Sequence, residues 1–176
     1  MKTTLYALFL MFAFPLVAQN ASTPAADPWK ALSFLEGTWL SSTTTAGSSG
    51  GKVTGTYTFR RELGNHILAR HTVSIEGCTG PANFDCDHGD LLYVYEEAPG
   101  QPLQAIYFDN EGHVIHYAVS TPDPTTAVFL SEASKRGPRF RLTYQLKNAV
   151  MLGTFAMQMP GQTDWKTYLE WSGSKK

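Results

Sequence analysis

Long apolar runs are missing from this sequence beyond its first 18 residues, cysteine occurs only twice, and neither sign of charge prevails. Each shortage excludes something. With 14 basic and 15 acidic side chains the formal net charge is −1, a balance that supplies no long-range field to hold nucleic acid or an anionic lipid surface. The one apolar run, from Leu5 to Val17, falls short of a membrane span of roughly 20 residues. Lys2 precedes it and the small residue Ala18 ends it, so residues 1–18 are expected to be a cleaved secretory signal. It has none of the Arg and Ser of a mitochondrial targeting peptide, and no cysteine follows Ala18 to carry a lipid. The expected location is therefore secreted or periplasmic, with no membrane association once the leader is gone.

The two cysteines, Cys78 and Cys86, flank a stretch of Thr, Gly, Pro, Asn and Asp that must be loop. In an oxidising compartment they are expected to pair as a disulfide closing that loop. The Cys-x-x-Cys spacing of a redox-active pair is absent.

A helical period is also missing from most of the chain. Residues 19–28 are small and polar and are expected to be a flexible linker. In PWKALSFLEG, Trp29, Leu32 and Leu35 stand at helical spacing behind Pro28 and ahead of Gly37, which predicts one short helix. From Thr38 onward, β-branched and aromatic residues come in short runs punctuated by Gly, Pro, Asn and Asp. Ten strands are expected, at roughly 38–46, 52–62, 65–76, 89–97, 103–109, 113–121, 126–133, 138–146, 150–158 and 164–172. Short turns such as DNEG, TPDPT and KNA join them, so consecutive strands pair antiparallel. Closing the sheet removes its exposed edges, and the expected fold is an all-β, up-and-down antiparallel barrel over residues 29–173 with a tail at 174–176. A β-sandwich would need long crossover connections, and none is seen.

One hairpin concentrates chemistry. YFDNEGHVIHY, Tyr107 to Tyr117, holds two histidines, an aspartate, a glutamate and three aromatic rings. Asp109 suits the first position of a type I turn and Gly112 the left-handed position after it. That register sets Asp109 opposite His113, Tyr107 opposite Ile115 and Ala105 opposite Tyr117, and turns the more apolar face, with Leu103 and Val119, inward. Phe108 then faces out. Side chains alternate along a strand, so His113 and His116 point opposite ways and cannot share a metal. No metal site is expected.

FLEGTW, Phe34 to Trp39, resembles the start of lipocalin-like proteins, where a short helix precedes a Gly-x-Trp. In that resemblance Gly37 makes a turn and Trp39 plugs the closed end of the barrel. Together with the hairpin, PRFRLTYQL (Pro138 to Leu146) and WKTYLEW (Trp165 to Trp171), the chain resembles bacterial calycin-type domains similar in architecture to nitrobindin, over Trp29 to Ser172. Nitrobindins carry haem on a histidine late in the chain, and here no histidine follows His116. The resemblance thus implies a barrel that holds a small, largely apolar molecule, without haem or another cofactor.

Tyr107, Ile115, Tyr117, Phe140, Leu142 and Tyr144 are the expected lining, apolar walls with a few polar points. His71 shares a strand face with Ile67, Ala69, Val73 and Ile75 and is expected to point inward. His113 with Asp109 would sit at the mouth, meeting a ligand or only pinning the turn. Other motifs fail on their surroundings. FDCDHGD carries Asp85, Asp87 and Asp90 but lacks the glycine and following helix of a calcium loop. TAGSSGGK lacks the spacing of a phosphate loop, and no nucleophile elbow marks a triad. Besides ligand binding, three readings stay open: an enzyme using His71 or His113 as acid or base, a haem protein with one of them as ligand, and a packed barrel whose outer face, Phe108 included, binds another protein or forms a homodimer.

Overall fold

The structure is a computed structural model that describes residues 29–45, 53–73, 87–133 and 136–176; the expected leader, the expected linker at 19–28 and the expected disulfide between Cys78 and Cys86 lie outside the described residues. A short helix, Lys30–Leu35, precedes ten strands: β1 (Gly37–Thr45), β2 (Thr54–Glu62), β3 (Ile67–Val73), β4 (Asp90–Tyr95), β5 (Gln104–Asp109), β6 (Val114–Asp123), β7 (Thr126–Ser131), β8 (Arg139–Lys147), β9 (Val150–Gln158) and β10 (Lys166–Lys175). Each pairs antiparallel with its sequence neighbours, and β10 returns to β1 to close the barrel. The expected up-and-down barrel is the observed one, and it is consistent with a lipocalin-like fold.

Two boundaries differ from expectation. The helix is a 3₁₀ turn, in which the Leu32 N–H donates to Trp29 O at 3.0 Å, because a six-residue segment gains little from the wider α ladder. The expected tail at 174–176 is largely strand: Lys175 stands opposite Trp39 and Ser174 opposite Leu40, and the Lys176 N–H donates to Thr38 O at 2.9 Å. Ser-Gly-Ser-Lys-Lys has a tail's composition, but the free edge of β1 offers backbone partners that composition does not show.

The helix covers one end. It buries Leu32 and Leu35, and the indole N–H of buried Trp39 donates to Leu35 O at 2.8 Å. Gly37 has φ of 120°, and a Cβ there would come within 2.6 Å of the Lys175 Cε. The Arg61 guanidinium lies 4.0 Å from the centre of the Trp29 ring, adding a cation–π contact at that end.

Aromatic rings fill the middle. Tyr144 is the hub, with Phe59, Trp171, Tyr57 and Phe129 at centroid distances of 5.3, 5.7, 6.0 and 6.1 Å. Most of these pairs meet edge to face, the arrangement ring quadrupoles favour. Gly153 lies opposite Trp171, and a Cβ there would fall 2.0 Å from the indole; the missing side chain is the room the indole occupies. Among the described residues a cavity lies toward the opposite end, where β1 hands over to β2, β3 to β4, β5 to β6, β7 to β8 and β9 to β10.

Candidate binding site at the open end

Strand β3 decides what faces this space. The sequence ILARHTV suggests Ala69 and His71 inside; the barrel instead turns Leu68, Arg70 and Thr72 inward. His71 lies between Thr58 and Leu91 on the outer face, where its Nε2 is 2.9 Å from the Glu62 Oε1 and its ring meets Tyr93 edge-on at 6.2 Å. Glu62 also binds Arg60, whose side chain is 62% exposed. The expectation for His71 is therefore corrected: it does not face the lumen. The reversal has a physical cause, since an arginine inside a barrel is tolerated only with a partner, and its partner lies on another strand.

That partner is Asp90. The Arg70 Nη2 donates to the Asp90 Oδ1 and Nη1 to the Tyr144 hydroxyl, while the Thr72 hydroxyl donates to the same Asp90 oxygen at 2.8 Å. Both charged side chains are 8% exposed. Burial opposes the charge on Asp90, yet the Arg70 guanidinium and the hydrogen bonds around it hold the carboxyl well below the usual range. Burial likewise opposes the Arg70 cation, and Asp90 outweighs it, so the guanidinium stays charged. Among the described residues the Arg70 Nε–H has no hydrogen-bond partner, and the Tyr57 hydroxyl sits beside Trp171 without a hydrogen bond of ordinary geometry. Burial raises the Tyr57 phenol first of all, so it remains a neutral donor.

A cavity of about 140 Å³ lies against these groups, lined by Tyr57, Arg70, Thr72, His88, Asp90 and Trp171, with Ser41, Thr43, Val53 to Thr56 and Leu169 completing the wall. That is the scale of a cavity that accommodates benzene, and below the usual range for drug-sized ligands.

The hairpin forms the next part of the rim. Tyr107 pairs with Ile115 and Ala105 with Tyr117. Gly112, at φ 89°, donates its N–H to Asp109 O at 3.2 Å. The Asp109 Oδ1 accepts from the N–H of Glu111 (3.1 Å) and of His113 (2.8 Å), and its Oδ2 is 2.9 Å from the His113 Nδ1. Its side chain is 4% exposed against 62% for His113. Burial works against the Asp109 charge, but the His113 hydrogen bonds win and lower its pKa.

His88 joins from the segment before β4. Its Nε2 is 3.2 Å from the Tyr107 hydroxyl and 3.6 Å from the Asp90 Oδ2, and its Nδ1 is 3.2 Å from the Glu111 Oε1. The Asp90 carboxylate, ahead of the opposing effect of burial, raises the His88 pKa, with Glu111 adding to it.

The other expected lining residues belong to the packed core or its edge. Tyr117, Leu142 and Tyr144 are buried in the core, and Tyr107, Ile115 and Phe140 are half-buried against it. Phe140 stacks on Phe155 at 5.5 Å. None of the nine expected ligand-binding residues lines the cavity. Of the residues that do, Tyr57, Arg70, Asp90 and Trp171 come from β2, β3, β4 and β10 and His88 from the segment before β4, and their one signal in the sequence is an arginine and an aspartate inside otherwise strand-like runs. Comparison with protein-family models and with curated proteins finds no match to this chain.

Proposed function

We propose that this barrel is an exported binding protein for a small molecule of about one ring, mainly apolar and carrying one hydrogen-bond acceptor. The observation that supports it is the open-end cavity, where apolar walls from Val53, Leu169 and Trp171 meet the buried Arg70–Asp90 pair. Tyr57, Arg70 and His88 also stand in its wall, polar groups that would meet an acceptor on a ligand among apolar surroundings. Arg70 and Asp90 are suited to hold rather than to transform, since both stay ionised around neutral pH and do not exchange protons there. The nitrobindin-like resemblance supports a ligand in such a barrel, but a cavity of about 140 Å³ among the described residues is far too small for haem.

Native mass spectrometry of the purified chain tests this. One retained molecule of single-ring size is the expected result, lost in Ser41→Phe, which fills the cavity from β1. A chain that retains nothing, and whose tryptophan fluorescence no single-ring compound changes, overturns it.

A second reading rests on a different observation. Phe108 and Val114 stand opposite one another on the outer face, 36% and 54% exposed, an apolar pair of the kind that marks contact surfaces. Under that reading the chain is a homodimer that Phe108→Lys converts to a monomer in sedimentation velocity; a wild-type monomer at all concentrations removes it.

A further inference from the structure

Asn110 ties two separate pieces of chain together. Its backbone N–H donates to Gly89 O at 3.1 Å, its Oδ1 accepts from the Gly89 N–H at 3.1 Å, and its Nδ2 donates to Asp87 O at 2.8 Å. The residue held between these bonds is His88, which the clamp sets beside the 109–113 hairpin. One ligand atom from each of His88, Asp109 and Glu111 then lies within 4.8 Å of the others.

We propose that His88, Asp109 and Glu111 bind one divalent transition-metal ion of the zinc type, with His113 positioning Asp109. The two nitrogens of His88 divide the work: Nδ1 faces Glu111 at 3.2 Å, while Nε2 faces the Tyr107 hydroxyl and Asp90. That is the arrangement of a metal-bound imidazole whose far nitrogen is oriented by a carboxylate behind it. Asp90 is neutralised by Arg70, which leaves Asp109 and Glu111 as two carboxylates facing His88 and His113, and a dication balances them. Metal–ligand bonds of roughly 2.0–2.2 Å place tetrahedral ligand atoms about 3.5 Å apart, so the cluster closes by a small inward movement. The His88–Glu111 pair is already at 3.2 Å, and Glu111, 47% exposed, is free to adjust. An imidazole among the ligands favours zinc, cobalt, nickel or copper over calcium and magnesium, which prefer oxygen alone. Three protein ligands leave a coordination position open to water or another small ligand. The inference does not rest on the small-molecule reading: an ion can bind here whether or not the cavity holds anything.

The test uses the untagged chain, stripped of metal and titrated with Co²⁺, followed by its visible absorption, and with Zn²⁺, followed calorimetrically. The expected result is one ion per chain near pH 7.5, with affinity at least about tenfold weaker near pH 5.5, where protons compete for the imidazole. His88→Gln and Glu111→Gln are each expected to weaken binding by about tenfold or more, and Asn110→Ala, which keeps every ligand but removes the clamp, by about tenfold. His116→Gln, on the outer face, leaves it unchanged. Circular dichroism checks the fold, and Glu111→Gln, at an exposed turn, decides the matter if His88→Gln does not fold. No binding at roughly 1 mM ion, or binding that both ligand variants leave intact, overturns the proposal.

Discussion

Arg70 on β3 and Asp90 at the head of β4 form an ion pair inside the barrel, and the Tyr144 hydroxyl accepts a second hydrogen bond from the guanidinium. Each member is tolerable in the interior only because of the other. Arg70→Met alone leaves a buried carboxylate without its counter-charge and is expected to cost roughly 3–5 kcal/mol. Arg70→Met with Asp90→Leu removes both charges and is expected to recover most of that loss. Urea denaturation of the two single variants and the double variant measures the coupling; losses that simply add would show that the pair does not act as a unit.

Stability is expected to fall at both ends of the pH range for different reasons. Asp90 and Asp109 have lowered pKa values in the folded barrel, so their contribution is full above the unfolded value of about 3.9 and is lost as pH falls through the folded values. His88 has a raised pKa, so its contribution is full below about 6.5 and is lost as pH rises through its folded value. Thermal melts between about pH 2 and pH 9 are expected to show a steep acid limb and a shallow decline above neutrality. His88→Gln should flatten the second limb only; a decline unchanged in that variant assigns it elsewhere.

Gly153→Ala places a methyl group where the Trp171 indole now lies, 2.0 Å from its nearest carbon. Overpacking of this kind typically costs about 1–3 kcal/mol, and here the strain must reach the Tyr144 hub that Trp171 touches. A lowered denaturation midpoint with an altered near-ultraviolet dichroism spectrum is the expected outcome. An unchanged spectrum would mean that Trp171 relocates without disturbing the aromatic core.

The barrel and the hairpin register were legible because turn chemistry fixed them locally. Asp109 and Gly112 define the turn, the turn sets the parity, and parity sends Tyr107 and Tyr117 inward and Phe108 outward. Strand β3 had no such anchor. In ILARHTV both faces carry polar residues, and counting apolar side chains placed Arg70 outside because a charge is cheaper in water. The compensation, Asp90, lies twenty residues away across a loop, beyond any local pattern. His88 escaped notice for the same reason: the hairpin's own histidines, His113 and His116, do diverge, but a third imidazole arrives from the β3–β4 connection through Asn110. Nothing in a strand pattern announces that contact, nor the vacancy at Gly153 that admits Trp171.

The seam between β1 and β10 joins the earliest strand to the latest. During synthesis the first strand leaves the ribosome long before its outer neighbour exists, so ring closure must wait for Lys166–Lys175 to emerge. Until then the nascent sheet carries two bare edges, at β1 and at its growing end, and both can pair with foreign strands. A long-range closure of this kind also slows folding. Removal of the last ten residues would therefore do more than shorten the protein: it would make that aggregation-prone birth state permanent.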